Sequence, residues 1–321
     1  MNNFTMPDAP RLLIQATLLP AQGARFQPTG FPDVGAGVYT LPNGREQLLV
    51  ESAQSVANRL EAVCWDEASQ ELVKPLKGLT YVRVTAADGS LLTTSIQEAH
   101  RLNSVYIERS EFFETLKAAV AFDESRPMDR SKLIAALARY DVGCLLHGVF
   151  LESIAGTLRV ARALSGFIEA DGVTRVETGG VKNDRVRASK DSEGERTAAE
   201  GFGNVPFHRT EFVAETIVAY FNLDLEQLRG YRLGDAMERL LYALSVFKIQ
   251  SFLERGLRLR TACDLVAAPP IVRAPAGLAL PSLSETVAAM PGLIDAAASH
   301  FASPPVTTAA YLPEKKAKKG K

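Results

Sequence analysis

Cysteine, histidine and tryptophan are scarce in this 321-residue chain, which has three Cys, four His and one Trp. Cys64, Cys144 and Cys263 lie far apart with no CxxC pair. That spacing argues against a zinc knuckle or a disulfide framework and leaves buried free thiols, which suit a reducing compartment. His100, His147, His208 and His300 never fall at ligand spacing, so no metal site is expected. His147 sits in an apolar run and reads as a core residue; His300 reads as a helix-end residue serving the dipole. No apolar run reaches the roughly 18 residues that cross a bilayer. The opening MNNFTMPDAPRL lacks the charged-then-apolar pattern of a secretory signal. A cytoplasmic chain with no membrane partner is the expectation. The P-loop, the G-x-S-x-G elbow and H-E-x-x-H are missing too, and DVGAGVY (33–39) has glycines without a strand before them or a dinucleotide-binding helix after. Neither a catalytic residue nor a cofactor is expected.

What is present is a chain 46% hydrophobic and 23% charged, enough for one large domain with insertions or two smaller ones. The net charge of −1 gives no global sign of a polyanionic partner. The last eight residues, EKKAKKGK, carry +4 and leave −5 on the body. With Pro313 they read as a basic, disordered tail, residues 313–321. Any phosphate-binding surface must therefore be gathered locally by folding.

The pattern predicts a strand at 11–19, a Gly/Pro-rich loop at 21–44 and an amphipathic helix from about 47 to 63. Residues 80–96 read as a hairpin turning at Asp88-Gly89, and 110–121 and 131–139 as helices. GCLLHGVFLES (143–153) reads as a central strand, and 162–176 and 203–225 have strand character. Between them, 188–201 is polar and charged, an excursion or hairpin tip. A long helix at 232–254, an alternating strand at 256–265, a Pro/Ala connector and a last helix at about 284–301 follow. The fold class expected is α+β, with helices on one face of a mainly antiparallel sheet.

The segment VESAQSVANRLE (50–61) concentrates donors at a helix start: Ser52, Gln54 and Ser55, then Asn58 and Arg59. Free backbone N–H groups and the helix dipole favour an anion there. An ordinary N-cap explains the serines equally well. Further donor-rich, carboxylate-poor clusters are Arg25 with Gln27; His100, Arg101 and Asn103; Lys182, Asn183 and Arg185; His208 and Arg209; and Arg258 with Arg260. Planar Arg, Asn and Gln groups suit phosphates, ribose hydroxyls and base edges, and Phe26, Phe31, Phe202 and Phe207 could stack on unpaired bases. Each cluster taken alone reads equally as a solvated face or a loop-fixing hydrogen bond. Clusters spread along the chain favour an extended ligand over a small pocket.

The runs RFQPTGFPDVGAGVY, ESAQSVANRLE, SIQEAHRLNS, LLHGVFLES, RALSGFIEA, GGVKND, GNVPFHR, AYFNLDL and GLRLRTACDL together resemble the repeated backbone subunit of type I-G (formerly I-U) CRISPR surveillance complexes, or Cascade, within the RAMP superfamily. The resemblance runs from about residue 11 to 265. It implies a modified RRM-like (ferredoxin-like) core with insertions, polymerised along a CRISPR RNA. A protruding thumb hairpin would fall at about 176–206. The S-x-Q-S entry also resembles that of better-known type I backbone subunits, which implicates Ser52, Gln54, Ser55, Asn58 and Arg59 in guide-backbone contact. Implied partners are CRISPR RNA, target DNA through the guide, identical neighbours packed head to tail, and other Cascade subunits. Residues 266–312 would form a C-terminal connector and helix of open role.

Two other functions compete. A metal-independent endoribonuclease processing precursor CRISPR RNA would use His100 or His208 as general base; resemblance to type III backbone relatives, some of which cleave target RNA with an acidic loop residue, would instead implicate Asp33 or Asp184. A plain scaffold would contact only protein and purify free of nucleic acid.

Overall fold

The computed structural model describes residues 4–30, 35–156, 158–182 and 205–313. The elements in chain order begin with β1 (Arg11–Pro20), β2 (Gly37–Thr40), β3 (Glu46–Glu51) and α1 (Ala53–Ala62). A hairpin of β4 (Tyr81–Thr85) and β5 (Leu91–Thr94) leads to α2 (Phe112–Val120) and α3 (Arg130–Tyr140). Then come β6 (Leu164–Asp171), β7 (Thr174–Lys182), β8 (Val205–Val213) and β9 (Thr216–Asp224). The chain continues with α4 (Asp235–Arg255), β10 (Arg258–Arg260), β11 (Cys263–Ala267), β12 (Ile271–Ala274), α5 (Leu283–Ala297) and β13 (Val306–Ala310).

Among the described residues, eight strands form the main sheet in the order β10-β11-β1-β9-β6-β3-β2, with β12 also on β1. Every pairing in it is antiparallel. Alternation sets its two faces: Leu12, Ile14, Ala16 and Leu18 of β1 are buried, while Leu13, Gln15, Thr17 and Leu19 face outward. In β6 and β9 the same period buries Leu164, Ile168, Ile217, Ala219, Phe221 and Leu223. The helices cover that buried face. Phe252 of α4 meets Phe221 edge to face, with ring centroids 6.2 Å apart. Gly166 leaves the room Phe221 needs, because a Cβ there would come within 2.6 Å of its ring. The expected α+β class is met. The main sheet is joined by a smaller one, β13-β4-β5, whose β13–β4 pairing is parallel.

Helix α4 is buried on all sides from Leu240 to Ile249, so it is a core helix without a solvent stripe. Its neighbours on the sheet side include α1, and α5 packs along it. The 266–312 segment is integrated with the rest: β12 extends the main sheet and β13 extends the small one.

Several boundaries differ from expectation. Residues 47–51 are strand, not helix, because they pair between β2 and β6; α1 starts only after Ser52. The apolar 143–153 run is a short helix, Gly143–His147, followed by Val149–Phe150 in a two-residue strand, not a central strand. Burial on every side erased the periodicity that separates the two states. Gly148 stops that helix at φ +75°, where a Cβ would strike the Val160 carbonyl at 2.6 Å. The 162–176 run is two strands turning at Gly172, and 203–225 likewise divides into β8 and β9. The 21–44 loop contains β2.

Strands β7 and β8 form a separate two-stranded ribbon in continuous register, from Thr174 opposite Val213 to Lys182 opposite Val205. The expected excursion at 188–201, and the tip of the 176–206 hairpin, lie outside the described residues.

Candidate nucleic-acid interface

Two buried carboxylates organise one end of the main sheet. Glu51, the last residue of β3, is 1% exposed and accepts from Arg59 Nε at 2.9 Å and from the Thr29 hydroxyl at 2.9 Å. Glu211 of β8 is 4% exposed and pairs with Arg25 at 2.9 Å and Arg209 at 3.0 Å. Loop 25–30 joins the two centres. Phe26 bridges to Phe212, the Gln27 backbone N–H donates to the Ala262 carbonyl, and Arg260 donates to the Pro28 carbonyl at 3.1 Å. Arg59 closes the circuit by donating to the Leu259 carbonyl at 2.9 Å. Arg25, Gln27, Arg59, Arg209 and Arg260, scattered over more than 200 positions in sequence, are thus tied into one network, with Ser52 next in the chain to Glu51 and Arg258 lining a cavity with Arg59. The network runs from the ribbon base to the start of α1.

Ser52 caps α1: its Oγ accepts from the Ser55 backbone N–H at 3.3 Å. The cap reading of that serine holds. Gln54 and Asn58 are one turn apart and exposed on the same side of α1, and Ser55 is half-buried beside them. Arg162, which sequence reasoning passed over, donates to the Ala53 carbonyl at the same helix start.

Beside Arg59 opens a cavity of about 550 Å³ between the last turn of α1, the last turn of α4 and the first turns of α5. Arg59, Arg255 and Arg258 line it together with Trp65, Phe247 and Val287. Arg255 lies 3.5 Å from Glu254, whereas Arg258 has no carboxylate partner among the described residues. Asn58 lines a second cavity of about 220 Å³, which shares Trp65 and Ala62 with the first.

The remaining candidates are placed differently. Arg101 is not at the surface: 5% exposed, it is held by Glu61 of α1, with Nε donating at 2.8 Å. Asn103 is half-buried and its Oδ1 has no partner among the described residues. His100 is exposed beside them. His208 is exposed and lies 3.0 Å from Glu177, on the opposite face of the ribbon from Arg209. Lys182 ends β7; its side chain, with Asn183, Asp184 and Arg185, lies outside the described residues, as does Asp33.

Arg101 belongs to a buried polar cluster with Glu61, Asp141, His147 and Lys248. Burial pushes Glu61 up to about 7 against the pull of Arg101 and Lys248, and raises Asp141 as well. Burial, then the charges of Lys248, Arg101 and Arg162, hold His147 well below 6.5. Its neutral Nε2 accepts from Lys248 Nζ at 2.8 Å. These groups are internal and serve the packing of α1 on α4. The core reading of His147 is met.

Sequence reasoning missed Glu51, Glu211, Trp65 and Arg255. The donor clusters are carboxylate-poor in sequence, yet a buried carboxylate from a distant segment is what fixes an arginine head at a surface. Among the described residues no group of three or more His, Cys, Asp or Glu is placed to hold a metal. No described helix is long and apolar enough to cross a membrane.

The family model for CRISPR-associated protein GSU0053 (Cas_GSU0053) matches residues 12–175, half of the chain. The chain belongs to that CRISPR-associated family. It is also similar to a solved chain described as "CRISPR RNA-guided surveillance complex, pre-nicking", with a TM-score of 0.41 and 12% identity over 80% of this chain and 76% of that one. A second, described as "CRISPR RNA-guided surveillance complex", gives a TM-score of 0.26 and 13% identity over 76% of this chain and 71% of that one. No curated protein matches.

Proposed function

We propose that this chain is a non-catalytic backbone subunit of a type I-G Cascade complex, with a modified RRM-like core, that binds CRISPR RNA and presents it for pairing with target DNA in antiviral defence. Family membership supports the CRISPR setting. The observation that carries the RNA-binding role is the arginine surface on which buried Glu211 holds Arg25 and Arg209 and buried Glu51 holds Arg59, with Arg260 tied to the Pro28 carbonyl and Arg258 lining the same cavity as Arg59. Arginine offers five donors, so an arginine already held by a carboxylate keeps N–H groups for a phosphate.

The mechanism is binding. Guanidinium groups displace counterions from the phosphates without reading sequence, and Gln54 and Asn58 fix the path along α1. Sequence is then read by base pairing between guide and target, as in other RNA-guided complexes. Identical copies succeed one another head to tail along the guide, alongside the other Cascade subunits. A near-neutral total charge permits that stacking.

The test is filter binding of labelled single-stranded RNA to the purified full chain. The reading expects retention that weakens steeply with salt, little preference among unrelated sequences, and intact RNA after long incubation. Absence of retention at low salt refutes it, and cleavage in the absence of metal gives the endoribonuclease alternative instead.

A further inference from the structure

The cavity between α1, α4 and α5 combines features the backbone path does not require. Its volume of about 550 Å³ lies within the range of roughly 300–1,000 Å³ typical of small-ligand sites. Its wall is mainly apolar, with Trp65, Phe247 and Val287 at the face, and Arg59 and Arg258 beside them. Trp65 is 7% exposed and stands edge-on to Tyr81, which fixes its plane, and its Nε1–H has no acceptor among the described residues. Arg255 occupies the last turn of α4, where a cation already suits the helix dipole, so its presence alone decides nothing. Arg258 has no such role: it projects from an exposed strand position without a carboxylate partner among the described residues.

We infer that this cavity takes one unstacked nucleotide of the bound single strand, its base against Trp65 and Phe247 and its flanking phosphates on Arg59 and Arg258. The inference rests on the RNA-binding reading above and assigns that reading a base-sized subsite. Charge complementarity argues for a nucleotide: an apolar, ring-lined wall beside two guanidinium groups matches a planar base joined to anionic phosphate. Continuity argues for the strand as its source, because Arg59 and Arg258 belong both to the cavity and to the surface running from the ribbon base.

Trp65 is the chain's one tryptophan, so its fluorescence reports on the cavity directly. The full chain is titrated with a 12-nucleotide oligouridylate and with an abasic ribose-phosphate strand of the same length. Both strands should be retained on filters through their phosphates, but the oligouridylate alone should quench Trp65 saturably. Val287→Phe, which fills the mouth from α5, should abolish the quench and weaken oligouridylate binding by about tenfold, the scale of one stacked base. It should leave abasic-strand binding unchanged. Equal quenching by both strands, or no quenching by a retained oligouridylate, overturns the subsite while leaving RNA binding intact. Retention of neither strand overturns both. Quenching by an acidic phenylalanine-containing peptide and not by the oligouridylate gives the cavity to a protein partner and also overturns the inference. The wild-type strand comparison stands even if Val287→Phe does not fold.

Discussion

Arg258 and Gln54 probe the interface without disturbing the core, since both are exposed and neither carries a carboxylate partner among the described residues. Arg258→Ala and Gln54→Ala should each leave folding stability within about 0.5 kcal/mol of wild type in urea melts, yet weaken RNA retention. Arg101 should behave in the opposite way. Arg101→Met leaves Glu61 buried without its guanidinium and should cost about 3–5 kcal/mol in the same melts. RNA affinity per folded molecule should not change. A stable Arg101→Met protein that no longer retains RNA contradicts the placement of Arg101 in the interior.

The same buried cluster sets a pH dependence. His147 is held well below 6.5, so below pH 6.5 the unfolded chain gains a proton that the folded chain refuses. Its contribution is complete above that value and is lost as pH falls, at up to about 1.4 kcal/mol per pH unit. Glu61, raised from 4.5 to about 7, acts in the reverse sense, with Asp141 alongside it. Its contribution is present below 4.5 and is lost as pH rises toward about 7. The two slopes oppose one another between 4.5 and 6.5. Glu61→Gln should therefore give a protein whose stability climbs with pH over that window more steeply than wild type. An equal or shallower climb in denaturant melts at several pH values contradicts this balance.

At the scale of elements, the entry to α1 separates structural from binding roles. Ser52 caps the helix, so Ser52→Ala should cost about 1 kcal/mol, within the usual 0.5–2 range for a lost cap. Gln54→Ala, two residues on, should cost almost none. Equal losses in both variants would mean that the capping geometry is not what holds this helix start. Much of the secondary structure was legible where one face is wet: β1, the Asp88-Gly89 hairpin, α2 and α3 all show their period in the residues, whereas 256–265, expected as one alternating strand, turns at Thr261-Ala262 so that β10 pairs with β11. The 143–153 run was not legible, because four consecutive residues, Cys144 to His147, are all buried and carry no phase. The start of α1 was misplaced because Leu48 and Leu49 fit a helical face and a strand equally, and only pairing with β2 and β6 decides between them. The interface was legible as residue types and not as an arrangement. Arg25, Arg59 and Arg258 are meaningful as a set only once Glu51, Glu211 and the 25–30 loop tie distant segments together. Arg101 has the same composition signal and ended in the core, because Glu61 on α1 draws it inward.

The molecule as a whole carries almost no net charge, so affinity for RNA must come from the local field of the arginine surface and fall away quickly with ionic strength. Each phosphate neutralised on a single strand contributes about −0.7 to the slope of log affinity against log salt. That slope, measured for wild type and Arg258→Ala on one unstructured RNA, tests the account most directly. The account predicts a clearly negative wild-type slope that becomes shallower by about 0.7 on loss of the Arg258 contact, with the change independent of RNA sequence. An Arg258→Ala protein whose affinity and slope match wild type, or a wild-type protein whose binding ignores salt, contradicts it.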